Sequence, residues 1–199
     1  DVAPPAAGHA SPVWSLAFSP DGRRLVSGAG DWADARRPAD NALRVWDAAT
    51  LAPLARVGLS GVPYFARFAP DRRRVAVGTS GYRIHVLDVE APDAPPVDLE
   101  GEGTGAMTLG LSAPPAHRGA VRGAAFDPGG RLVSVGGERG AVREADNELR
   151  AWDVDAAREL VERRRSLPAV PLWVDVAPDG RVAVGYQSGL VQVFAPDDE

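Results

Sequence analysis

Leu43-Arg44-Val45-Trp46-Asp47 and Leu149-Arg150-Ala151-Trp152-Asp153 are one strand written twice, 106 positions apart (152 − 46). Two weaker copies, Ile84-His85-Val86-Leu87-Asp88 and Val191-Gln192-Val193-Phe194-Ala195, keep the apolar alternation without the Trp-Asp pair. Self-similarity at a fixed period marks a repeat architecture and takes precedence over local readings. Ahead of each copy stands the same preface: an alternating apolar run that ends in a turn containing Pro. The turns are Ser19-Pro20-Asp21-Gly22, Ala69-Pro70-Asp71-Arg72, Asp127-Pro128-Gly129-Gly130 and Ala177-Pro178-Asp179-Gly180. Each leads into a short strand, at Leu25-Val26-Ser27, Val75-Ala76-Val77, Leu132-Val133-Ser134 and Val182-Ala183-Val184. Pro presets the first turn dihedral and Gly accepts positive φ, so these are hairpin connections. Strands recurring every 8–12 residues or so predict an all-β chain. Residues 155–165 have a helical look, but the repeat register makes them a turn and an outer strand.

The composition agrees. Gly (22) and Pro (18) supply 40 of 199 residues, which predicts many short elements and few long helices. A chain of this length fits one domain, or two small ones, and buries a core without staples. All 22 basic residues are Arg, which excludes a Walker-type, kinase-type or Schiff-base lysine. There is no Cys, hence no disulfide, thiolate nucleophile or thiolate-bound zinc. The net charge of −5 argues against a general binder of phosphate backbones. No apolar run is long enough to span a bilayer. The start, Asp1-Val2-Ala3-Pro4-Pro5, has neither an initiator Met nor a signal-peptide pattern, so the chain is expected to be processed or an excised piece. The expected compartment is the cytoplasm.

The Trp-Asp strands, with the turns and short strands before them, resemble the WD-repeat β-propeller family. The resemblance runs over residues 9–195 and is strongest in the first and third repeats. It implies four-stranded antiparallel blades: 9–57, 58–103, 117–165 and 166–199, with a linker loop at 104–116. It also implies a structural tetrad in which indole N–H donates to a hydroxyl, the hydroxyl to an imidazole, and the imidazole to a carboxylate. His9, Ser27, Asp40 and Trp46 fill it in the first blade, and His117, Ser134, Asp146 and Trp152 in the third. Spacings match: each His lies four residues before its first strand and each Asp six before its Trp. The second and fourth blades carry Leu59 and Leu167 in place of His and are expected to rely on packing alone. Repeats one and three share Ala-Asp-Asn at 39–41 and 145–147. Repeats two and four share Arg-Val-Ala-Val-Gly at 74–78 and 181–185, and first strands that begin at Pro63 and Pro171. A duplicated two-blade unit accounts for this.

In such a fold the connections between second and third strands, and from blade to blade, emerge on the top face. The enlarged stretches 29–40, 101–116 and 136–146 all fall there, and long loops in compact domains tend to carry function. The resemblance also places Trp14, Tyr64, Arg122 and Leu172 on the top rim, where partners are met. Trp32, Arg36 and Arg37 in the first long loop add an aromatic anchor and a charged fork, residue types enriched at interface hot spots. The expected function is therefore a non-catalytic scaffold or sensor module, bacterial in style, that binds a protein or peptide through its top face. The alternative is an enzyme or small-ligand propeller that uses its central channel. No cofactor, metal, nucleic acid or membrane is expected as a partner. No Gly-x-Ser-x-Gly elbow, metal cluster or nucleophile–base pair is legible. Gly101–Gly105 reads as a flexible top loop, and the Arg runs at 72–74 and 163–165 as solvated charges that protect strand edges.

Four blades use up the chain, and the fourth ends without an outer strand. The expectation is an incomplete ring, completed by a homodimer of eight blades or by further blades beyond this sequence. An open arc should expose two apolar sheet faces.

Overall fold

The structure, a computed structural model, describes residues 8–31, 40–101, 115–137 and 147–196. Among the described residues, sixteen strands fall into four antiparallel sheets in chain order. The first blade comprises β1 (Val13–Phe18), β2 (Arg24–Ala29), β3 (Ala42–Asp47) and β4 (Pro53–Gly58). The second comprises β5 (Pro63–Phe68), β6 (Arg74–Thr79), β7 (Ile84–Asp88) and β8 (Val97–Leu99). The third holds β9 (Val121–Phe126), β10 (Leu132–Gly136) and β11 (Glu148–Asp153), with an outer strand in two pieces, β12 (Arg158–Glu159) and β13 (Arg165–Ser166). One turn of 3-10 helix at Val161–Arg163 separates those pieces, so 155–165 is a turn and an interrupted outer strand. The fourth blade has three strands among the described residues: β14 (Pro171–Val176), β15 (Val182–Tyr186) and β16 (Val191–Phe194). No helix among the described residues is long and apolar enough to cross a membrane.

The Pro-containing turns close as hairpins. Asp21, Asp71 and Asp179 each accept a backbone N–H from the residue two further on. Gly22, Gly130 and Gly180 adopt φ of 69°, 85° and 86°. Arg72 takes the same conformation, at φ 65°, without the freedom of glycine, which costs about 1 kcal/mol.

Cross-strand pairing fixes which positions are equivalent. Leu16, Ala66, Ala124 and Val174 on the first strands face Ser27, Val77, Ser134 and Val184 on the second. Each sheet has two apolar faces, and three clusters fill the spaces between successive blades. Val26, Leu43 and Val45 meet Val75, Val77 and Leu87. Phe65, Ile84 and Leu99 meet Val121, Leu132 and Trp152. Val133, Val135 and Leu149 meet Val174, Val184 and Tyr186. Gly78 is required here, because a methyl group at that position would overlap the Phe65 ring.

The row is not closed. On the outer face of the first blade, Leu16 and Phe18 are 60% and 64% exposed. On the outer face of the fourth, Trp173, Val191 and Val193 are also exposed.

Candidate functional site

In the first blade Trp46 Nε1 donates to Ser27 Oγ at 2.8 Å, and Ser27 Oγ lies 2.6 Å from His9 Nε2. Asp40 completes the group at ion-pair range only, with Oδ2 3.7 Å from His9 Nδ1. Arg56 holds the other carboxylate oxygen at 2.6 Å, and the Ala10 N–H donates to Oδ2. Burial alone would raise the Asp40 pKa; Arg56, the Ala10 N–H and Arg44 outweigh it and keep the carboxyl below its usual range. In the third blade Trp152 Nε1 donates to Ser134 Oγ at 2.8 Å, and His117 Nε2 lies 2.7 Å from the same oxygen. Asp146 lies outside the described residues.

His117 is fully buried, and burial, followed by the cations Arg150 and Arg164, pushes its pKa well below 6.5. The unfolded chain therefore takes up a proton that the folded chain refuses. Stability from this group is full above 6.5 and declines as pH falls below it, by up to about 1.4 kcal/mol per pH unit. Urea unfolding at pH 7.5 and 5.5 checks this: the loss should be smaller in His117→Gln by about 1 kcal/mol.

The expectation that the second and fourth blades rely on packing alone is corrected by the structure. In the second blade His85 Nε2 is 3.1 Å from Ser60 Oγ, and Nδ1 is 2.5 Å from Asp98 Oδ1. Arg83 donates to the other Asp98 oxygen at 2.7 Å. The His85 hydrogen bond, ahead of the opposing cost of burial, keeps the Asp98 carboxyl below its usual range. This network ties the entry loop, β7 and β8 together, as the Trp–Ser–His groups do in the first and third blades. Ser60, His85 and Asp98 stand in the hydrogen-bond order of a nucleophile–base pair, an arrangement that was not legible in the sequence. In the fourth blade the Tyr186 hydroxyl donates to Gln192 Oε1 at 2.9 Å. Leu59 and Leu167, in the place of His, pack into the apolar clusters.

Sequence reading also missed Arg150. Its side chain is 1% exposed and is held by Glu148 and by Glu159, whose carboxylate also accepts from Arg164. Arg44, His85, Arg150 and Gln192 occupy one register position, two residues before Trp46, Leu87, Trp152 and Phe194. A polar residue at that position in every copy was the available signal.

The four residues expected on the rim share a backbone feature. Trp14, Tyr64 and Leu172 sit where the pairing of the innermost strand shifts register, and Arg122 occupies the same place in β9. A bulge of this kind re-aims a side chain out of the regular pleat. Trp14 is 45% exposed, and its indole N–H donates to the Gly30 carbonyl at 2.8 Å. Arg122 Nε reaches the equivalent carbonyl, of Gly137, at 3.4 Å. Gly30 and Gly137 form the necks of the two long loops. At the first neck Asn41 Oδ1 accepts the Asp31 N–H at 3.1 Å, and neither glycine has room for a methyl group beside the Asn side chain, Asn41 or Asn147. Asn41 and Asn147, the Asn of the shared motif, thus sit against the two glycines whose carbonyls Trp14 and Arg122 reach. Tyr64 is half-buried against the cluster between the second and third blades, and Leu172 is half-buried. Trp32, Arg36 and Arg37 lie outside the described residues.

Antiparallel blades in sequential order, packed face to face through their inner strands, define a propeller-type repeat protein. The family model described as "WD domain, G-beta repeat" matches residues 6–47 and 111–153, the two segments that carry the Trp-centred networks. The matched segments, the first and third repeats and less than half of the chain, support a WD-repeat family. No curated protein matches the chain significantly. WD repeats generally serve as scaffolds for protein–protein interaction and are typically non-catalytic.

Proposed function

We propose that this chain is a non-catalytic interaction module that captures a protein or peptide on the rim formed by Trp14, Tyr64, Arg122 and Leu172 and the loops beside them. The observation that carries this reading is Trp14: a large aromatic ring, nearly half exposed, aimed by a bulge and tethered to the neck of a long loop. A preoriented aromatic loses little conformational freedom on binding, which suits an anchor. Trp32, Arg36 and Arg37 supply specificity from the loop. Neither nucleic acid nor membrane is proposed as a partner, since the chain as a whole carries a net charge of −5. The open row is completed into a ring by a second copy or by further blades. A displayed peptide library selected on the parent chain tests the rim. Trp14→Ala, Tyr64→Ala and Trp32→Ala together should lower recovered binding by at least tenfold, with the far-ultraviolet spectrum preserved. Unchanged recovery would sink the rim reading.

A specific observation favours a second reading, acyl transfer at Ser60, because of the Ser60–His85–Asp98 order. Against it, the His85 side chain is only 6% exposed and so is closed to an incoming substrate. Labelling of Ser60 by a fluorophosphonate, lost in Ser60→Ala, would favour the enzyme. Absence of labelling leaves the three residues as the brace of the second blade.

A further inference from the structure

We propose that the two exposed end faces are the halves of one interface and that its occupant is a second copy of this chain, joined head to tail so that two copies close an eight-bladed ring. This rests on the ring completion stated above and is independent of the rim.

The argument is positional. On the outer face of the fourth blade, Val191 pairs with Gly185 and Val193 with Ala183, and Trp173 also pairs with Gly185, so these side chains share a face. The residues equivalent to Val191 are Leu43, Ile84 and Leu149, which are 0%, 0% and 5% exposed, whereas Val191 is 68% exposed. The equivalents of Val193 are Val45, Val86 and Ala151, all buried. On the outer face of the first blade, Leu16 corresponds to Ala66, Ala124 and Val174, again all buried. The same junction is therefore built three times within the row, and the outer faces of the first and fourth blades are its two uncovered halves.

The shapes agree with that assignment. In the second blade the Phe65 ring lies over Gly78. At the equivalent place in the fourth blade nothing stands over Gly185, and Trp173, Val191 and Ala183 border an open cavity there of about 360 Å³. The larger side chain Leu16, at a position held by Ala or Val inside the row, supplies bulk for that cavity. Each face carries large exposed apolar side chains, Leu16 and Phe18 on one and Trp173, Val191 and Val193 on the other, which are costly to leave in water. A head-to-tail junction extends until it closes, and two copies bring the blade count to eight, within the range that propellers adopt.

Light scattering and sedimentation equilibrium test the idea directly. The parent chain should have a mass of about 42 kDa, twice 20.9 kDa. Leu16→Glu/Phe18→Glu spoils one half-face and Val191→Glu/Val193→Glu the other, and each variant should run at the single-chain mass. All four residues are exposed in the single chain, so its circular dichroism should be kept. Mixed in equal amounts, the two variants retain one intact junction between them and should regain the two-chain mass. A parent that stays at the single-chain mass at high concentration overturns the proposal. So does a dimer that survives either variant, a mixture that fails to associate, or a mass that grows past two copies. Peptide capture at the rim is read by other residues, so its failure is distinguishable from failure here.

Discussion

Trp152→Ala is expected to destabilise the chain by about 3–5 kcal/mol, the range for a large aromatic deleted from a packed core. Trp152 is 0% exposed and stands in the cluster between the second and third blades, with Val121, Leu132, Ile84 and Leu99 around it. Its removal empties that space and takes away the indole N–H that donates to Ser134 Oγ. It also ends the edge-on contact with His117, whose ring centroid is 6.3 Å away. A domain with 5–15 kcal/mol or so of total stability does not absorb such a loss easily. Trp46→Ala, the same substitution in the same motif, should cost less. Trp46 makes the equivalent bond to Ser27, but its face of the sheet carries exposed Leu16 and Phe18 and has no neighbouring blade over it. Urea unfolding of the two variants as single chains, kept so by Val191→Glu/Val193→Glu, measures the difference. Equal losses would show that the neighbouring blade contributes nothing to the Trp site.

Arg150→Met is expected to be nearly as damaging, about 3–5 kcal/mol, because it breaks a buried ion network from one side. Arg150 donates to Glu159 at 2.8 Å and to Glu148 at 2.9 Å through Nε. The Glu159 side chain is 0% exposed and would lose one of its cations while keeping Arg164. The double variant Arg150→Met/Glu159→Leu removes cation and anion together and should recover most of the loss, since buried pairs are often replaced by apolar residues at little cost. A double-mutant cycle on unfolding free energies reads the coupling. Simple addition of the two single losses would mean that Arg150 and Glu159 do not depend on each other.

Much of the candidate site was legible along the chain. The resemblance to WD repeats implies one hydrogen-bonded group for His9, Ser27 and Trp46 and another for His117, Ser134 and Trp152, and each set lies within hydrogen-bond distance in the structure. The brace of the second blade was not legible. Its members, Ser60, His85 and Asp98, follow no known spacing, and they meet only because β7 pairs with β8 in the register that sets His85 opposite Asp98. The Arg150 network escaped for a related reason. An Arg at an alternating strand position looks solvated until Glu159 arrives on the outer strand and the second blade covers both. Asp40 was legible as a carboxylate near His9, but its preference for Arg56 depends on a cross-strand neighbour.

By itself the sequence determined that the chain is a row of four short-stranded units, where each hairpin turns, and which apolar positions recur. Local rules suffice for that: Pro and Gly decide turns, and alternation decides which side chains share a face. Whether a given apolar position is buried was decided only by the tertiary structure. Leu16 and Ala66, or Val191 and Ile84, are equivalent along the chain, yet one member of each pair is dry and the other wet. Burial depends on whether another blade stands opposite, and that is a property of the assembled row rather than of any single repeat.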